Sequence, residues 1–139
     1  MRLWFLRGIG GLAVIAASFL VTLYIVDTRN SPATRDAQRV DDIRRTREAI
    51  KRYYQARKAY PVDLKLLVEA GYLSSIPVDP LWSATDRKYQ YYSNGISNFG
   101  LLVWLEQAHG NLPADRPCRT GLGTKESEMW SSNMLECPF

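Results

Sequence analysis

At 139 residues the chain has the size of one domain, and a hydrophobic fraction of 46% is that of a folded protein rather than a disordered one. The formal net charge of +4 is unevenly spread, because nine of the 18 basic side chains fall between Arg35 and Lys58. One histidine and two cysteines make a poor set of zinc ligands, and no glycine-rich phosphate loop occurs anywhere in the chain.

Residues 8–26, GIGGLAVIAASFLVTLYIV, contain no charge and are bounded by Arg7 and Asp27. A helix of that length rises close to 30 Å, the thickness of a bilayer core, so the stretch reads as a membrane anchor. It is too long for the apolar part of a cleaved secretory signal, and no small-x-small cleavage site follows it. Ser18 and Thr22 can bond back to the helix backbone without opposing insertion. Flanking positive charges alone place the following chain in the cytoplasm, since Arg29, Arg35 and Arg39 outnumber Arg2 and Arg7. Cys118 and Cys137 argue for the other side. They lack the CxxC spacing of a redox or zinc site, and a disulfide that closes the C-terminal segment implies an oxidising compartment. The alternative for the pair is two reduced, buried thiols.

Pro32, in DTRNSPAT, predicts a kink or short break in one long helix running from about Gly8 to Ala59. Beyond it, RDAQRVDDIRRTREAIKRYYQARKAYP repeats Ala37, Val40, Ile43, Ile50 and Tyr53/Tyr54 on one side of a helix. Val40, Ile43, Ile50 and Tyr54 are the expected packing face toward a sheet. Arg47 interrupts the stripe, where its stem can cover apolar surface. Asp36 with Arg39, Asp41 with Arg44 and Arg45, and Glu48 with Lys51 and Arg52 stand three or four residues apart, a spacing that supports a solvated helix. Arg35, Arg39, Arg44, Arg45, Lys51 and Arg52 form the expected basic surface. Tyr60-Pro61 ends the helix near Ala59.

Leu64, Leu67 and Val68 then predict a short second helix, with Asp63 placed to cap it and Gly71 to end it. SSIPVDP, with two prolines, reads as a connection rather than a strand. Lys88–Tyr92 and Phe99–Glu106, separated by a loop containing Ser93, Asn94 and Gly95, read as two antiparallel strands. From His109 onward, turn-forming residues dominate, and one short strand or turn is expected around Glu128–Trp130.

These residues carry a resemblance. An apolar anchor, then RDAQR, YY and YP on the basic helix, then AGYLSSIPVDP and KYQYYSNG, is similar to the type IV pilin and type II secretion pseudopilin family over about residues 8–106. The resemblance implies an α+β fold. In it a long N-terminal helix, membrane anchor in one half and amphipathic in the other, packs on a small antiparallel sheet and a disulfide loop closes the C-terminus. It implies residues 1–8 as a leader or cytoplasmic N-terminus, 9–26 as the transmembrane anchor, and 27–139 as a domain in the periplasm or outside the cell. Gly8 and Ile9 stand at the leader-cleavage position. Two departures mark the chain as a minor or atypical subunit: Ile9 stands where the family has an aromatic residue, and Ala13 where it has a glutamate.

The implied partners are other pilin-like subunits through the N-terminal helix, the inner-membrane assembly machinery and membrane lipid, and the implied role is filament assembly or protein secretion rather than catalysis. The alternative is a non-polymerising membrane-anchored module whose basic helix binds DNA or anionic lipid. No catalytic group is expected. His109 lies in a loop, and Asp41 and Asp42, adjacent on a helix, point about 100° apart. No cofactor is expected either, with calcium as the alternative: in AHGNLPADRPC the ion would find Asn111 and Asp115 as oxygen ligands, of the six or more it takes.

Overall fold

The computed structural model describes residues 14–22, 31–82, 88–122 and 134–139. Gly8 and Ile9, and the turn expected at Glu128–Trp130, lie outside the described residues. Residues 14–22 are helical (α1). A second helix, α2 (Pro32–Arg57), begins afresh, since Ser31 is extended at φ −67 and ψ 152 and its hydroxyl accepts the Thr34 N–H at 3.2 Å. Pro32 sits in the first turn, where a missing N–H costs nothing. The break expected at Pro32 is therefore a capped helix start. Among the described residues no helix is long and apolar enough to cross a membrane.

α2 ends two residues earlier than its sequence suggests, because Lys58 turns left-handed at φ 55 and its N–H reaches back to the Tyr54 carbonyl at 2.7 Å. The short helix α3 (Lys65–Glu69) follows, shorter than the 62–73 stretch that predicts it. The Asp63 carboxylate accepts the Lys65 N–H at 2.8 Å, and Gly71, at φ 74, turns the chain away after the helix.

Four strands form one sheet in the order β1 (Gln90–Ser93), β2 (Phe99–Leu105), β3 (Arg116–Leu122) and β4 (Leu135–Glu136). β1 and β2 are the antiparallel pair expected, with Tyr91 opposite Leu101 and Ser93 opposite Phe99. In their connection the Asn94 side-chain oxygen accepts the N–H groups of Ile96, Ser97 and Asn98 at 2.9–3.1 Å. Gly95 is left-handed at φ 75, and a Cβ there would lie 3.1 Å from Val62 Cγ1.

The C-terminal part departs from the expectation. β3 pairs with β2 along its whole length, Phe99 opposite Leu122 and Leu105 opposite Arg116, where the sequence suggests loop. β4 then runs parallel to β3, so the sheet is mixed rather than antiparallel. Cys118 and Cys137 are bonded, with Cα atoms 5.0 Å apart, and the Cys137 N–H donates to the Arg119 carbonyl at 2.8 Å. The bond thus fastens the last residues to the middle of β3.

The core lies between α2 and one face of the sheet. Ile43, Ala49 and Ile50 from the helix meet Leu101, Val103 and Leu105, which alternate along β2, with Leu67, Leu112, Tyr60 and Cys118 around them. Val40 is half-buried against this cluster. Tyr54, placed on the packing face by its spacing, is instead 37% exposed, its ring stacked on Tyr60 at 4.4 Å. The helix ends three residues later, and Tyr60 rather than Tyr54 fills the core there.

Candidate functional site

The buried positions of α2 are Asp36, Arg39, Asp42, Ile43, Thr46, Ala49 and Ile50, one stripe at spacings of three and four. Its second half is mainly apolar and its first half is charged. Arg39 is fully buried, so it is no part of a basic surface: the stripe that buries Ile43 and Ile50 turns Arg39 inward by the same periodicity. Its guanidinium grips Asp79 with two bonds, Nε to Oδ2 at 2.7 Å and Nη2 to Oδ1 at 2.9 Å. Nη1 donates to Asp36 at 2.8 Å and also to Glu106. Arg35, half-buried, adds a second fork onto Glu106, with Nε to Oε1 at 2.8 Å. Asp36 in turn accepts the backbone N–H groups of Glu106 at 3.0 Å and Gln107 at 2.8 Å.

One arginine therefore joins three segments: the start of α2, the connection carrying Asp79, and the end of β2. A lysine could not replace it, because a single ammonium lacks the planar fork that satisfies two carboxylates at fixed angles. The Arg35 guanidinium holds the Glu106 carboxyl down at about 2, against the opposing effect of burial and with Arg39 adding to the pull. For Arg39, burial favours loss of the proton, but the bonds to Asp79, Glu106 and Asp36 outweigh it and raise its pKa. Beside this cluster the Asp42 carboxylate accepts the Tyr89 hydroxyl at 3.0 Å and Arg45 Nη2 at 2.6 Å. Burial, reinforced by the charge of Asp42, raises the Tyr89 phenol.

Chemically the cluster is a clamp. Its acids are occupied by guanidinium and backbone N–H groups. Among the described residues no group of His, Cys, Asp and Glu is arranged to hold a metal ion. Asn111 and Asp115 are both exposed, and the Asp115 carboxylate accepts the Trp104 indole N–H at 3.3 Å. His109 is exposed and meets the Phe139 ring edge-on at 6.0 Å.

The remaining basic residues stay on the surface. Arg45 bonds Asp41 at 3.1 Å as well as Asp42, Arg52 donates to the Tyr72 carbonyl at 3.1 Å, and Arg44 lies 6.0 Å from the Phe139 ring centre. Arg44, Arg45 and Arg52 line a cavity of about 420 Å³ together with Asp42 and Glu48, so its charge is mixed. Arg47, the interruption in the stripe, reaches Thr120 at 3.2 Å and the Phe139 carbonyl at 2.9 Å.

α1 is of another kind. Every residue of 14–22 is exposed, with Val14, Ile15, Phe19, Leu20 and Val21 each more than half accessible. Its two hydroxyls are satisfied inside the helix, Ser18 on the Val14 carbonyl and Thr22 on the Ser18 carbonyl, both at 2.8 Å. Nothing polar on it calls for water.

No family model matches the chain, and no curated protein or solved structure shows significant similarity to it.

Proposed function

We propose that the chain is a pilin-like structural subunit, minor or atypical, of a type IV pilus or type II secretion pseudopilus, anchored in the inner membrane by residues 9–26 and acting by assembly. The observation that carries this reading is α1, apolar on all sides, with its hydroxyls bonded internally and each of residues 14–22 exposed. A helix that is hydrophobic all round belongs against lipid or other apolar helices. The capped start of α2 hands this element over to a domain whose helix, sheet and disulfide are built for rigidity rather than turnover. The disulfide supports an extracytoplasmic position. The partners are then neighbouring subunits through α1, the assembly machinery and lipid.

Two of the six residues expected to form a basic surface for DNA or anionic lipid, Arg35 and Arg39, serve the clamp instead, which weakens that alternative. Mass spectrometry of the protein isolated from its native membrane and from sheared surface filaments tests the reading. Recovery in filaments, with or without residues 1–8, supports it. Recovery from the soluble fraction alone, with free cysteines, refutes it.

A further inference from the structure

Of the asparagines only Asn94 is followed by glycine; Asn30, Asn98, Asn111 and Asn133 precede Ser31, Phe99, Leu112 and Met134. An asparagine–glycine pair is where a backbone nitrogen most readily reaches a side-chain carboxamide, because the attacking nitrogen belongs to a residue with no Cβ in the way. Asn94 is exposed, so water reaches it. It heads the connection between β1 and β2, where hydrogen bonds hold both of the groups that would react. Its carboxamide oxygen accepts the N–H groups of Ile96 at 3.0 Å, Ser97 at 2.9 Å and Asn98 at 3.1 Å, and its nitrogen donates to Ser97 Oγ at 3.1 Å. The Gly95 N–H donates to Ser93 Oγ at 2.9 Å, and that hydroxyl donates in turn to the Asn98 carbonyl at 3.1 Å.

We infer that Asn94–Gly95 is a latent modification site: deamidation to aspartate or isoaspartate at position 94 is held off while the β1–β2 connection is closed and proceeds when it opens. The reaction needs only water. The Gly95 amide nitrogen gives its proton to solvent base and bonds to Asn94 Cγ, the Cγ–Nδ2 bond breaks, and ammonia leaves with a proton returned from water. Water then opens the resulting cyclic imide at either carbonyl, so a carboxamide and water go in, and a carboxylic acid and ammonia come out. The closed connection restrains both partners. A nitrogen whose proton is shared with Ser93 Oγ must give up that bond before it is deprotonated, and any turn of the carboxamide toward it breaks bonds that fix Oδ1 and Nδ2. Three N–H groups on one oxygen also stabilise negative charge there, which favours attack. That gain arises only after the nitrogen is freed, so restraint of the nucleophile prevails. Conversion has a cost for the fold, because the Gly95 carbonyl accepts the Tyr60 N–H at 3.1 Å and a Cβ at Gly95 would lie 3.1 Å from Val62 Cγ1. Isoaspartate carries the main chain through the side-chain methylene, and with that added atom Gly95 no longer holds its seat against the chain leaving α2. Position 94 therefore keeps a chemical record of each opening that ends in conversion.

The test incubates the full-length protein in mildly alkaline buffer, folded or unfolded in guanidinium chloride, and follows conversion at position 94 by peptide mass mapping. Conversion in the folded chain should be slower by about tenfold or more, as breaking several hydrogen bonds before reaction requires. Ser97→Ala removes the acceptor of the carboxamide nitrogen and Ser93→Ala the acceptor of the Gly95 N–H. Each should speed the folded-state rate by about two- to tenfold, the range of one net hydrogen bond. Hydrogen exchange at the paired residues Gln90 with Leu102 and Tyr91 with Leu101 reports whether the β1–β2 ladder stays closed in the variants. Ser93 lies in β1, so where its replacement opens the ladder, Ser97→Ala, outside the strands, decides alone. Equal rates in the folded and unfolded chain overturn the proposal, as does a rate that neither variant moves. A folded chain that converts faster than the unfolded one also overturns it, and assigns the three N–H groups to stabilising the attack instead.

Discussion

Arg39 shows how one side chain can set a fold. Its fork satisfies acids from three segments, and buried pairs of this kind contribute more to geometry than to net stability. Removing one partner is costly all the same. Arg39→Met should lose about 3 to 5 kcal/mol in denaturant unfolding of the purified protein, because the buried Asp79 and Asp36 would lose their counter-charge and Glu106 would keep only Arg35. A loss under about 1 kcal/mol would show that water or a shifted Arg35 takes its place. The clamp also sets a pH dependence. The Glu106 carboxyl titrates near 2 in the folded chain against its usual 4.5, so its ionised form contributes stability in full above about pH 4.5. That contribution is lost as the pH falls toward 2. Unfolding measured from pH 5 to pH 2 should therefore steepen in this window, and Glu106→Gln should flatten it. Two further side chains separate core from surface. Ile50→Ala, at a position with no exposure, should cost about 2 to 5 kcal/mol, whereas Arg44→Ala should stay within about 0.5 kcal/mol of the parent.

Among the elements, α2 and the β1–β2 hairpin were legible in the sequence, and β3 was not. The apolar spacing of Val40, Ile43 and Ile50 marks a helix face, and KYQYY and FGLLVWL, separated by SNG, mark two strands and a turn. RPCRTGL carries a proline, two arginines and a glycine, with no alternation to read; it is a strand because β2 offers a full ladder and Cys118 packs against the core. The candidate site was half legible. The pairing of Asp36 with Arg39 follows from their spacing, but a charged residue on a helix reads as solvated unless its distant partners are known. Asp79 and Glu106 lie 40 and 67 positions away. The helix start at Pro32 offers its own test. Ser31→Ala removes the side-chain cap on Thr34 and should cost about 1 kcal/mol in the same unfolding measurement, while Ser31→Asp should keep most of it.

At the scale of the whole molecule, Cys118 and Cys137 close a 19-residue separation. On the chain-entropy model, opening that loop should lower stability by about 3 kcal/mol, readable as a shift in the unfolding midpoint on adding a reductant. The same bond governs which chain completes which sheet. β4 is two residues long and pairs in parallel with β3, too short a contact to select its own strand over that of an identical neighbour. Where many copies are concentrated in one membrane, an unbonded C-terminal segment could complete the sheet of an adjacent molecule as readily as its own, giving strand-exchanged aggregates. Once the sulfurs are joined within a chain, that exchange is closed. On the assembly reading proposed above, an order of events follows: oxidation must come before crowding, and a chain that reaches its neighbours while still reduced arrives able to entangle with them.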